Sequence, residues 1–449
     1  MGRRAHDSSL RVAWLLAAAW ANAWLGGCAG PPRRAVLDAI EARAPKRALR
    51  AYESLRRDDG ADVALLGRIA ALVLERAALS DDPRTRDAAL SQLALAGREG
   101  LPVLDELAAA TIPVPTRARA LALLAPRDAD ARARLVPLRT HADPAIAALA
   151  VRALDAHTDR ADLDAALAAP AAAIRAAAAT ALAASAPDDR ARRELASVAR
   201  VDPDPAVRAA ATRALGAFGT AACESLRERL SDADVGVRRA ATLALAQADR
   251  ATAWRVLAPL LGLPPSSHGI DAARVLAASP TPDIARDAGA YLLRTLASGD
   301  PQLRSAAAVA LLSLSASPAR AAAVADALAR ETVPDVRLLL ACDLTRRVID
   351  TAADSPAARA RAVLETLRSE GGMRGVQATV QLASLGDREA ARGLHRALRD
   401  ADVAIRRVAA RALARNALAP DAARVALRDR DGSVRIAAAG GILAALSAL

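Results

Sequence analysis

The sequence predicts an all-α chain, a solenoid of about a dozen repeated helix pairs carried behind an N-terminal export segment. Its 449 residues exceed the size at which one compact core stops growing, which leaves several domains or one elongated array. Aromatic residues make up 2% of the chain, and Trp14, Trp20 and Trp24 lie in its opening stretch, so the body must build its core from Ala, Leu and Val. Such small side chains suit closely packed helices, whereas sheets favour the β-branched and aromatic residues that are scarce here. The array is chosen by self-similarity. DPDPAVRAAATRALGAFG from Asp202 is echoed by DADVGVRRAATLALAQAD from Asp232, DADVAIRRVAARALARNA from Asp400 and DRDGSVRIAAAGGILAAL from Asp429.

The first segment is an export signal. Arg3, Arg4 and Arg11 precede an apolar run from Val12 to Leu25, and small residues follow. That run is too short for a comfortable membrane-spanning helix, which needs about 20 residues. At its end Leu25-Gly26-Gly27-Cys28 resembles the lipobox of bacterial lipoprotein precursors, departing from it only in the glycine at the second position. The resemblance implies cleavage between Gly27 and Cys28, with Cys28 lipidated as the first residue of the mature chain. Residues 1–27 are then the signal, 28–34 a lipidated tether, 35–64 a helical N-terminal cap with an Arg-rich face, and 65–449 the repeats. Ala29 stands where the Asp of inner-membrane retention would, which favours the outer membrane.

The repeats have a common anatomy. With the residue before a recurrent arginine as phase marker, the units fall at Thr85, Thr116, Ile146, Ile174, Val207, Val237, Ile270, Leu303, Val336, Val376, Ile405 and Val434. Successive markers are 28 to 33 residues apart, except for one step of 40 before Val376. Three residues before the marker stands Asp82, Asp143, Asp204, Asp234, Asp300, Asp402 or Asp431, which suits a helix N-cap. Proline follows in four units, at a position where a missing N–H costs nothing. Apolar residues return four and eight places after the marker, as in Val207, Ala211 and Leu215, and so share one helix face. A second helical stretch precedes each unit, ACESLRERL from Ala222 for example, and such pairs bury their apolar faces only by stacking on neighbours. The markers at Ile270 and Val376 lack the pattern at several positions.

These units resemble HEAT repeats of the short kind also found in phycobilisome-lyase-like proteins. The resemblance implies that an Asp and an Arg of each unit form a ladder between adjacent repeats, here Asp204, Arg208, Asp234, Arg238, Asp300, Arg304, Asp402, Arg406, Asp431 and Arg435. It also implies a curved rod, on the order of 100 Å long if helices pack about 10 Å apart, whose concave face holds a partner.

No catalytic constellation emerges. His6, His141, His157, His268 and His395 are scattered, with no HExxH and no paired ligand spacing. His268, in LPPSSHGI, reads as a solvated loop residue. Lys46 is the sole lysine and has no phosphate-loop neighbours, and GxSxG is absent. The glycines of SEGGMRG, 369–375, read as a break between two helices. Cys223 and Cys342 fall in distant repeats and read as unbridged, buried apolar residues. A net charge of +12 would ordinarily suggest nucleic acid. Much of it, however, is arginine at one structural repeat position, and export removes the chain from the cytoplasm. The expectation is therefore a non-catalytic, cofactor-free scaffold, anchored in the cell envelope through Cys28, that binds a protein partner on its concave face. A basic solenoid for nucleic acid is the alternative.

Overall fold

The computed structural model describes residues 31–184, 188–279, 281–314, 318–347, 355–415 and 420–447. Cys28, Gly27 and the signal segment lie outside the described residues. Those residues form a succession of helices with no strand among them. Twelve helix pairs follow Val63, and the second helix of each carries one of the twelve markers. Ahead of them, Pro31–Glu41 and Pro45–Asp59 form a pair of their own. The expected tether is thus helical from Pro31 onward, with Pro31 and Pro32 in a first turn that tolerates their missing N–H groups.

The second helices begin as the sequence dictates. Asp82, Asp143, Asp204, Asp234, Asp300, Asp402 and Asp431 each accept a first-turn backbone N–H. Each such cap stabilises its helix by about 1 kcal/mol. Two phases need correction. Ser266 caps the helix Ser267–Leu276, and the residue bonded back to that cap is Ile270 itself, which therefore occupies the arginine position rather than the marker. Likewise Gly375 bonds to the cap residue Gly371, so Val376 lies two places beyond the marker position. Gly371 and Gly372 both have positive φ and separate Pro356–Glu370 from Gly372–Ser384. The long step before Val376 spans residues 348–354, which are outside the description.

The chain forms two compact units, residues 104–397 and residues 1–103 with 398–449. In the first, second helices stack on one another in chain order from Val114–Leu124 to Gly372–Ser384. A continuous core of Ala, Leu, Val and Ile runs through it, with Tyr291 its large aromatic member.

The other unit joins segments distant in sequence. Its centre is the helix Gly432–Leu446, where Val434, every residue from Ile436 to Leu443 and Ala445 are buried. A helix apolar on all sides must be covered on all sides. Val403–Arg415 covers one face, and Val63–Ala78 with Pro83–Leu95 covers another. Glycines permit the close approach: a side chain on Gly441 would strike Ala414, and one on Gly440 would strike Gln92. Leu446 in turn packs over Gly67. A simple array would separate the first repeat from the last by ten others, yet here the two share a core. Polar contacts reinforce it. Arg56 Nε donates to Asp421 at 2.6 Å, Tyr52 Oη donates to the same carboxylate, Arg424 pairs with Glu53, and Arg428 donates to Leu49 O.

Candidate functional site

The predicted ladder exists, but on different acids. Arg208 donates through Nε and Nη2 to both carboxylate oxygens of Asp232, at 3.1 and 3.0 Å. Arg175 grips Asp202 in the same way, Arg304 grips Glu331 and Arg406 grips Asp429. Each acid belongs to the next repeat and lies two residues before its cap. The cap acids Asp204, Asp234, Asp300, Asp402 and Asp431 are therefore not the rungs. Their oxygens are engaged by first-turn N–H groups, while Asp202, Asp232 and Asp429, two places before Asp204, Asp234 and Asp431, face the preceding repeat, and Ser298 holds that place before Asp300. Asp202, Asp232 and Asp429 have a further task, each accepting the backbone N–H of the following cap residue, as Asp400 also does for Asp402.

Each arginine also closes its own loop. Nη1 of Arg208 donates to the carbonyls of Asp202 and Pro203, and Arg175, Arg238, Arg304, Arg406 and Arg435 repeat the contact five and six residues back. Arg238 and Arg435 make only this half of the arrangement. Pro264 occupies the acid position facing Arg238. The planar guanidinium serves both tasks because its fork presents five donors. Arg175 holds the Asp202 carboxyl below the usual aspartate range, and Arg304 does the same for Glu331. For Asp232 and Asp429 burial pushes upward, but the paired arginine and the cap N–H prevail and the result is again a lowered value. These guanidiniums are thus committed to structure.

A separate row of mostly exposed residues lies elsewhere on the second helices. The ninth residue after each cap falls on one face, and over six consecutive repeats this position is Arg152, Thr180, Arg213, Leu243, Val275 and Val309. Leu243 and Val309 are 52% and 50% exposed, and Val275 is half-buried beside the exposed Arg274. Helices packed 8–10 Å apart spread such a row over about 40–50 Å. No acid interrupts it, and Arg152 and Arg213 form no ion pair among the described residues. The row therefore offers two cations, Arg152 and Arg213, at one end and the apolar Leu243, Val275 and Val309 at the other. Periodicity could have located it, since the position follows directly from the caps.

Other singled-out residues do not converge with it. His268 lies in the first turn of Ser267–Leu276 rather than in a solvated loop, because Ser266 caps that helix and Tyr291 Oη bridges Ser266 N and Pro264 O. Its Nε2 is buried without a hydrogen-bond partner among the described residues, and burial, with Arg238 nearby, lowers its pKa. Cys223 and Cys342 are free and half-buried rather than fully enclosed, and burial pushes the Cys342 thiol up to about 11. Among the described residues no group of His, Cys, Asp and Glu has the arrangement of a metal site, and no helix is long and apolar enough to cross a membrane.

Residues 161–246 match the family model of HEAT repeats. That segment contains the first two rungs, Arg175–Asp202 and Arg208–Asp232. The fold is an all-α solenoid. Similar solved structures include Kap95p with RanGDP, at 12% identity and a TM-score of 0.40, over 91% of this chain and 66% of that one. Kap121p is 14% identical with a TM-score of 0.36, over 85% of this chain and 48% of its own. The complex of CpcE and CpcF of phycocyanin lyase from Nostoc is 19% identical with a TM-score of 0.30, over 60% and 94%. The chain thus spans about two thirds of Kap95p and about half of Kap121p. No curated protein matches it in sequence.

Proposed function

We propose that this chain is a non-catalytic scaffold of the bacterial cell envelope, anchored by lipid on Cys28, that holds an extended protein segment along the second-helix row. The observation that carries the binding half is the row itself: exposed Arg152 and Arg213 with Thr180 between them, followed by Leu243, Val275 and Val309, with no acid at these positions, on a stacked frame. A segment laid across successive helices meets a new helix every 8–10 Å, so acidic residues facing the arginines and apolar ones facing Leu243 and Val309 are the complement. The anchor rests on the sequence, where a basic start, a short apolar run and Leu25-Gly26-Gly27-Cys28 precede the helices. More than one acyl chain makes such anchoring stable. The absence of Asp after Cys28 favours the outer membrane, on its periplasmic side.

Two experiments test the two halves. Photo-crosslinkers placed at Leu243 and Val309 should capture one shared partner in envelope preparations, and Arg152→Glu with Arg213→Glu should abolish capture. A crosslinker at Arg286, exposed on a first helix, should not capture it. Equal capture from Arg286, or indifference to the charge reversal, would sink the row. For the anchor, wild type should take radiolabelled acyl chains and float with membranes while Cys28→Ala does neither. A wild-type chain that stays soluble and unprocessed refutes it, and the basic solenoid should then be assayed on DNA and RNA.

A further inference from the structure

We infer that the helix Pro45–Asp59 is a second membrane contact, a basic face that rests on anionic phospholipid headgroups; this builds on the proposed lipid at Cys28. The helix is two-sided. Ala48, Leu49, Tyr52 and Leu55 are buried against the unit that includes residues 420–428, and Arg56 and Glu53 are occupied there by Asp421 and Arg424. Lys46, Arg47, Arg50 and Arg57 are exposed. At 100° per residue these four fall within about a third of the helix circumference. None of them forms an ion pair among the described residues, and Arg57 donates only to the carbonyl of Glu53 within its own helix. Asp58 and Asp59 are the fully exposed acids of this helix, both at its end; from Pro45 to Arg57 the exposed charged residues are all cations, and Glu53 is held by Arg424.

This face differs in kind from the ladder. The ladder arginines are spent on carbonyls and carboxylates of the fold, whereas these four side chains form no ion pair among the described residues and only Arg57 holds a carbonyl, that of Glu53 in its own helix. Lys46, the chain's one lysine, is among them. The cluster begins 18 residues after Cys28, and the intervening described residues are the short helix Pro31–Glu41, about 16 Å long at 1.5 Å per residue, and the turn after it. A lipid at Cys28 would therefore hold the cationic face close to the headgroups. Basic side chains near an anionic surface add binding that one acyl chain alone does not supply. The occupant is a lipid surface rather than a protein groove, because the face is convex helix surface with cations and no exposed large apolar side chain.

The test uses the mature chain from residue 28 carrying Cys28→Ser, so that no acyl group contributes. It should cosediment with vesicles of phosphatidylglycerol and phosphatidylcholine, bind pure phosphatidylcholine far less, and be released by salt. Lys46→Glu, Arg47→Glu, Arg50→Glu and Arg57→Glu combined should reduce binding at least about tenfold. Its thermal transition should match the parent, since all four side chains are exposed. Equal binding to both vesicle types, unchanged binding by the fourfold variant, or binding to duplex DNA but not to the anionic vesicles overturns the inference. Acyl labelling of Cys28 is read separately, so either result can fail without the other.

Discussion

Asp232 and Asp234 stand two residues apart in the same loop and do different work, and stability should separate them. Asp234→Ala removes a cap and should cost about 1 kcal/mol. Asp232→Ala removes the acceptor of two Arg208 donors and of a backbone N–H, and should cost about 2 kcal/mol, more than the cap. Urea midpoints of the two variants check the order, and an equal loss would contradict the assignment. The pH dependence follows from the lowered pKa values of Asp202, Asp232, Glu331 and Asp429. A carboxyl whose folded pKa lies below its unfolded value of about 4 stabilises the fold above that value and ceases to do so as pH falls through the folded pKa. Melting temperature should therefore hold down to about pH 5 and fall toward pH 3. Asp232→Asn should start lower and lose less over that interval. Both acids of each D-x-D pair were visible in the sequence, but their roles were not. Two identical side chains so close differ only in which neighbour they reach, and that neighbour lies in another repeat.

The helix Gly432–Leu446 shows what composition says of an element. Its apolar residues leave no polar stripe, so it had to be enclosed, and its glycines had to serve close packing or a break. The structure uses Gly441 to seat the helix on Ala414. Gly441→Val should destabilise the protein by about 1–3 kcal/mol through overpacking, seen as a lower urea midpoint with an unchanged slope. Tyr52 is buried, and burial together with the Asp421 carboxylate raises its phenol pKa, so it stays protonated as donor throughout the ordinary pH range. Tyr52→Phe should cost about 0.5–1.5 kcal/mol, and Asp421→Asn combined with it should cost less than the sum of the two, as expected for groups in one contact. At Ile270 and Val376 the repeat phase misled because Ser266 and Gly371 replace the capping Asp, and a serine or glycine in a loop does not announce itself as a cap.

Across the whole chain, residues 63–95 and 403–446 lie in one compact unit although hundreds of residues separate them. Their amide protons should therefore exchange as one cooperative group, with peptides from Val63–Ala78 and Gly432–Leu446 losing protection at the same denaturant concentration. Mass-detected exchange in mild urea checks this, and independent loss of protection in the two peptides would refute it. The row proposed for binding is legible only through the frame. Each residue of the row is an ordinary arginine, threonine, leucine or valine, and stacked helices bring these equivalent positions together.

Local chemistry determined much of this protein. Small apolar residues at helical spacing, capping aspartates and first-turn prolines specify twelve helix pairs without reference to anything distant, because caps and periodicity act within a few residues. The same local reading of residues is what the proposal of a lipid anchor at Cys28 rests on. What only tertiary structure decided was pairing at long range: which acid each arginine grips, which residues cover Gly432–Leu446, and which cations remain uncommitted. Those outcomes depend on side chains meeting across helices, where the energy comes from removing apolar surface from water and from satisfying buried charge, and neither is written in the spacing of a single segment.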